Sequence, residues 1–119
     1  MGRIITNTER IDAIRFLKTE ARTNKARIWS VAASHLSRPR RARAVVNLNH
    51  IARATTSNSL VFIPGKLLGS GMIDHQVIIG AFEFSYAAKA KIERAGGQCM
   101  SLKEFVTSYP DGSKVIIMR

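Results

Sequence analysis

The sequence predicts a mixed α/β (α+β) protein, in which a small irregular β/α core follows a basic helical N-terminal extension. Up to Leu36, apolar residues recur every three or four positions, whereas from Leu60 onward short apolar runs alternate with amphipathic segments. Hydrophobic residues make up 45% of the 119 residues and charged residues 23%, which is ordinary for a folded protein. We expect a single domain over residues 1–119, with the helical part at 1–44 and the α/β core at 45–119.

Two amphipathic helices are predicted in the extension. Asn7 or Thr8 caps the first helix, which continues to about Arg22, and Thr23-Asn24 interrupts the pattern and caps the second. The apolar face of the first helix consists of Ile11, Ile14, Leu17 and Ala21. That of the second consists of Trp29, Ala32, Ala33 and Leu36. Pro39 prevents further helix, because a proline steers the residue before it away from helical backbone angles.

The core is predicted to alternate strands with helices. Residues 46–51 are expected to form a short helix or turn, and residues 57–59 a loop. Pro64-Gly65 is expected to end the first long strand, which leaves residues 66–74 as a Gly-rich connector. Predicted strands are 60–63, 77–84, 98–100 and 115–118, and predicted helices are 86–95 and 102–109, with Ser85 as a cap, Gly96-Gly97 as a stop and a capping box at 101–104.

Positive charge is concentrated in the first half of the chain. Residues 1–53 hold twelve Lys and Arg against three Asp and Glu, a net charge of +9, whereas residues 54–119 hold seven against five, a net charge of +2. The densest stretch, which we call the arginine block, contains Arg38, Arg40, Arg41 and Arg43. No acid lies between Glu20 and Asp74, although a merely solvated surface commonly mixes both signs. We therefore expect a polyanion to bind one side of the molecule.

The motifs in the chain do not support nucleotide, metal or hydrolytic chemistry. In residues 64–71, P-G-K-L-L-G-S-G, the lysine follows the first glycine and the segment leads to a strand, so it is not a helix-opening phosphate loop. His35, His50 and His75 are too dispersed for a metal site, and there is no cysteine pair. Asp74-His75 has no nucleophile context. We therefore predict no enzymatic activity, no cofactor and no small-molecule substrate.

The single cysteine, Cys99, cannot form an internal disulfide, so a reducing, cytoplasmic location is expected. We expect this residue to serve as a small core side chain. Residues 1–10 have no apolar signal-peptide core, and no window approaches 18 uninterrupted apolar residues, so no membrane partner is predicted.

RNA is the favoured polyanion, and recognition by backbone and shape is the favoured mode. No zinc finger, basic zipper or aromatic RNA-recognition motif is present, and the second helix carries few polar residues suited to reading bases. Lys66 in the Gly-rich segment is a candidate phosphate contact, and His75 is a candidate for anchoring that loop or contacting RNA.

Several motifs, in order and spacing, cover nearly the whole chain. They are Val46-Asn47-Leu48, residues 63–71, Asp74-His75, Phe84-Ser85, Ala95-Gly96-Gly97 and the segment 112–119. In these motifs the sequence resembles the archaeal and eukaryotic large-subunit ribosomal protein family eighteen-e, which is related to bacterial large-subunit protein fifteen. The short length is similar to that of the archaeal form. His50 and Gln76 stand where that family often carries basic residues.

The resemblance implies the irregular β/α fold of that family and a structural role in the large ribosomal subunit. It implies binding to large-subunit rRNA, neighbouring ribosomal proteins as further partners, and no enzymatic activity. The residues expected to bind rRNA are Lys25, Arg27, Arg38, Arg40, Arg41, Arg43, Asn47, His50, Arg53, Lys66, Ser70 and His75. A free nucleic-acid-associated regulator remains the alternative, and a small nucleotide-using enzyme is a weaker one.

Overall fold

The computed structural model describes residues 7–39 and 44–119, in which helices and strands alternate. The predicted mixed α/β class is confirmed. Arg40, Arg41 and Arg43 of the arginine block lie outside the described residues. The elements are α1 Asn7–Thr23, α2 Arg27–Leu36, β1 Ala44–Asn47, α3 Leu48–Ala54, β2 Ser59–Leu68, β3 Val77–Phe84, α4 Tyr86–Arg94, β4 Gln98–Ser101, α5 Leu102–Ser108 and β5 Val115–Ile117.

The strands form one parallel sheet with the order β1-β2-β3-β4, and β5 pairs with β2 as well. Strand β3 occupies one side of β2, so β1 and β5 share the other side. They do so in succession: β5 pairs with residues 60–62 and β1 with residues 65–68. Parallel neighbours require crossover connections, which the helices and the segment between β2 and β3 supply.

The prediction that Pro64-Gly65 ends a strand is wrong, because β2 continues through both residues to Leu68. Against β3, the register shifts between Ile63 and Lys66, which marks a bulge or irregularity in the pairing. Pro64 also lies where the partner on the other side changes from β5 to β1. A proline is tolerated there because its missing N–H is not required by a continuous ladder.

The prediction of helix or turn from residue 46 is wrong for residues 46 and 47, which belong to strand β1. The strand exists because its backbone pairs with β2 beginning at Gly65, opposite Ala44. A Cβ atom on Gly65 would lie 2.1 Å from the Ala44 carbonyl oxygen, so only glycine allows this approach. The predicted helical turn follows directly as α3.

Apolar side chains of β2 alternate between two cores, one on each face of the sheet. Val61 and Ile63 pack with α3 and α4, whereas Leu60 and Phe62 pack with α1, α2 and α5. The second core centres on aromatic rings: the Trp29 and Phe62 centroids are 5.2 Å apart and those of Phe62 and Phe105 are 5.5 Å apart. The molecule is therefore a three-layer structure with helices on both faces.

Most predicted helix ends are confirmed, but the start of α2 is not. Ser85 caps α4 and Ser101 forms the capping box with Glu104, as predicted. Helix α2 begins at Arg27, and its N-cap Ala26 has no side-chain hydrogen bond. Asn24 instead closes α1, because its Nδ2 donates to the Glu20 carbonyl oxygen at 3.0 Å.

Candidate polyanion-binding surface

The segment of residues 69–76, which we call the glycine loop, connects β2 to β3 and packs beside α3. The Asn49 N–H at the start of α3 donates to the Ser70 carbonyl oxygen at 2.9 Å. Beyond the end of α3, the Asn58 N–H donates to the Gln76 carbonyl oxygen at 2.7 Å. The loop and α3 therefore form one surface, which we call the α3–loop surface.

Two glycines allow this loop to lie against both helices of its layer. Gly71 has a φ of +98°, and a Cβ there would lie 2.4 Å from the Asn49 Cβ. A Cβ on Gly69 would lie 2.7 Å from the Ala88 backbone nitrogen in α4. Because both approaches are closer than any side chain permits, the backbone of the loop is held in one position.

Lys91 of α4 holds the loop from the other side. Its Nζ donates to the carbonyl oxygens of Gly69 and Gly71, each at 2.7 Å. An ammonium group that bridges two carbonyls makes charge-assisted hydrogen bonds, which are stronger than neutral ones. The sequence does not reveal this role, since nothing in the pattern of α4 links Lys91 to a segment about twenty positions earlier.

His75 anchors the other end of the loop. Its Nδ1 lies 3.0 Å from Asp74 Oδ1, and its Nε2 lies 2.8 Å from the Thr55 hydroxyl oxygen. That hydroxyl in turn donates to the Ile51 carbonyl oxygen at 2.7 Å. The hydrogen bond from His75 lowers the pKa of Asp74, so the carboxylate stays ionised and His75 Nδ1 donates to it. The His75 side chain is only 15% exposed, which fits the predicted anchoring role.

Three of the predicted rRNA-binding residues are brought together on the α3–loop surface. His50 and Arg53 are exposed on α3, and Ser70 is exposed on the glycine loop beside the first turn of α3. Asn47 occupies the N-cap position of α3. Its Oδ1 is buried and accepts no hydrogen bond from the residues that the structure describes.

The other described candidates lie elsewhere. Lys66 is on β2 rather than on the loop, and its Nζ is 4.0 Å from Glu83 Oε2. Arg38 is exposed just beyond α2. Burial, Arg38 and Arg119 together lower the pKa of the nearby His35, which favours its neutral form. Lys25 and Arg27 lie at the junction of α1 and α2, on the opposite face of the sheet from α3.

The described residues offer neither a metal site nor a membrane span. Within residues 7–39 and 44–119, no group of three or more His, Cys, Asp and Glu side chains is arranged to hold a metal ion. None of the helices described is long and apolar enough to cross a membrane.

The structure thus defines a small cationic α/β protein with a rigid loop fixed on one face of a parallel sheet. Residues 23–100 match a family model whose description covers ribosomal proteins 50S-L15 and 50S-L18e and a 60S counterpart. The chain belongs to this family, and the resemblance seen in its motifs is confirmed.

Similar proteins cover nearly its full length. The chain is 40% identical to "Large ribosomal subunit protein eL18" of Methanococcus maripaludis over 113 residues, which are 95% of this chain and 94% of that protein. The protein of the same name from Methanoregula boonei is 41% identical over 96% of this chain and 94% of its own. That of Methanothermobacter thermautotrophicus is 44% identical over 88% of this chain and 87% of its own.

Proposed function

We propose that this protein is a structural constituent of the large ribosomal subunit that binds and stabilises folded large-subunit rRNA. The observation that carries the proposal is the end-to-end similarity to archaeal proteins named for the large subunit, at about 40% identity. The net charge of +11 supports it, since a polyanion would relieve the self-repulsion of so cationic a chain. Cytoplasmic ribosomes are the expected location.

The α3–loop surface is suited to backbone and shape recognition. It presents the Arg53 cation and the polar groups of His50 and Ser70 on a backbone that glycine contacts and Lys91 hold in place. Rigid placement matters because a preorganised surface does not have to be ordered when RNA binds. His50 and Ser70 can form hydrogen bonds with phosphate oxygens or 2′-hydroxyl groups.

The arginine block supplies the larger electrostatic contribution in this proposal. It follows α2 and precedes β1, and the end of β1 leads directly into α3. Arginine suits the role, because its planar guanidinium pairs with two phosphate oxygens and stacks on unpaired bases. Lys66 contributes less, since Glu83 already lies within 4.0 Å of its ammonium group.

Two measurements test the proposal. In a sucrose gradient of cell lysate at moderate salt, the tagged protein should sediment with the large subunit. A chain that remains at the top of the gradient would instead indicate the free regulator.

The second measurement is the salt dependence of rRNA binding. Replacing the four arginines of the arginine block with glutamine should weaken binding and flatten the log–log slope, by up to about 0.9 for each lost phosphate contact on a duplex. A slope that does not change would refute the role of the block.

A further inference from the structure

A second cationic site lies where α1 meets α2. The site is a shallow cavity of about 580 Å³, which we call the basic groove. Its lining consists of Lys18, Ala21, Arg22, Lys25, Arg27 and Ser30. It therefore contains four cations and no acid. Glu20, on the same helix, is not part of the lining, and it accepts a hydrogen bond from Asn24.

Lys25 occupies a backbone position that normally favours glycine. Its φ is +52°, in the left-handed region. The Ala26 N–H donates to the Ala21 carbonyl oxygen at 3.0 Å, and the Lys25 N–H points to the Arg22 carbonyl oxygen at 3.4 Å. These two bonds define a Schellman motif, in which the residue at the position of Lys25 is usually glycine. A lysine there has a conformational cost that glycine avoids.

The end of α4 shows the same motif with the expected residue. The Gly97 N–H donates to the Ile92 carbonyl oxygen at 2.9 Å, and the Gly96 N–H donates to the Glu93 carbonyl oxygen at 3.0 Å. Gly96 has a φ of +85° and takes the place that Lys25 takes in α1. The comparison indicates that Lys25 is present for its charge rather than for the turn.

Arg27 is also unfavourable for local structure. It is the first residue of α2, a helix with no acid in its first turn and no side-chain bond at its N-cap. The N-terminus of a helix carries partial positive charge, so a cation there is repelled and an anion is attracted. Two cations of the groove thus oppose the local backbone, and a bound anion would offset both costs.

The groove and the α3–loop surface lie on opposite faces of the sheet. Helices α1 and α2 cover one face and α3 covers the other. We propose that the basic groove binds the phosphate backbone of a second rRNA segment, so that the protein joins two segments of rRNA through its two faces. The proposal rests on the proposed function and adds a separate contact with its own residues.

The variant Lys25→Gly/Arg27→Gln tests this directly. Both changes relieve the local costs described above, so its thermal midpoint should be no lower than that of the wild type. Lys89→Gln/Arg94→Gln, which removes two exposed cations of α4, is the control with equal charge loss.

The readout is hydroxyl-radical footprinting of the full large-subunit rRNA transcript with the purified chain. Wild type and control should protect two separate segments, whereas the groove variant should lose one and keep the other. Its salt slope should also fall in magnitude by up to about 1.8, the value for two lost phosphate contacts on a duplex.

Three outcomes would overturn the inference. Protection of both segments by the groove variant would mean that the groove faces solvent or an acidic protein segment. A single protected segment with the wild type would mean that only one face binds RNA. Absence of any protection with the wild type would refute the proposed function itself, which makes that failure distinguishable from the first two.

Discussion

Lys91→Met should destabilise the protein through the glycine loop rather than through a lost RNA contact. The substitution keeps an apolar stem of similar length but removes both hydrogen bonds to the Gly69 and Gly71 carbonyls. A hydrogen bond to a charged group contributes about 1.5–3 kcal/mol when well enclosed. The bond to Gly69 is partly buried and the bond to Gly71 is exposed, so the second is discounted for solvent.

The expected loss is about 1.5 kcal/mol for the partly buried bond and about 0.5 kcal/mol for the exposed one, about 2 kcal/mol together. At roughly 4 °C per kcal/mol for a chain of this size, Tm should fall by about 8 °C. Urea titration should show a lower midpoint with an unchanged m-value. Lys89→Met, on an exposed position of the same helix, serves as the control.

The two variants separate a structural lysine from a surface charge. If Lys91→Met and Lys89→Met differ in unfolding free energy by less than about 0.5 kcal/mol, the ammonium group does not hold the loop and the reasoning fails. Amide hydrogen exchange sharpens the test, because only Lys91→Met should accelerate exchange in residues 69–76.

Three other outcomes are expected. Gly71→Ala should lower the unfolding free energy by about 3 kcal/mol in urea titration, because it adds a strained φ to a clash with Asn49; a loss below about 1 kcal/mol would show that the loop can move. Burial raises the pKa of the Cys99 thiol to about 12, so iodoacetamide at mildly alkaline pH should react with it only after unfolding, and rapid labelling of the folded protein would contradict this. Hydrogen bonds with the backbone and side chain of Ser101 lower the pKa of Glu104 from its ordinary 4.5, so the stability this group adds is present above that value and is lost as pH falls through the lowered pKa. Glu104→Gln should therefore reduce the acid-induced loss of stability, and identical pH profiles would refute the capping box as its cause.

Local signals in the sequence predicted helix ends well, because a cap and its partners lie within a few residues. Ser85, Gly96 and the Ser101 capping box are examples. Strand β1 could not be predicted because four residues carry little periodicity, and their pairing depends on Gly65 about twenty positions later. The effect of Pro64 could not be predicted either, because whether a proline interrupts a strand depends on which neighbours require its N–H.

The same distinction holds for the surfaces. Charge and motif were enough to nominate Arg53, Ser70 and His75, and the structure explains how α3 and the glycine loop hold them. Lys91 could not be identified, because its partners are backbone carbonyls with no sequence signature. The cations that Lys18 and Arg22 add to the basic groove were visible as charges, but their convergence with Lys25 depends on how α1 meets α2.

The shared side of β2 has a consequence for how the chain reaches its native state during synthesis. Strand β5 follows every other strand in the sequence, yet it pairs with residues 60–62 at the centre of the sheet. The Trp29 indole likewise depends on a late residue, since it donates to the Pro110 carbonyl oxygen at 2.8 Å. Until residues 110–117 are made, a nascent chain holds β2 with part of one side unpaired, and such an edge favours association with other strands. The barrier to misassembly is therefore set by the part of the chain that emerges after the sheet it completes.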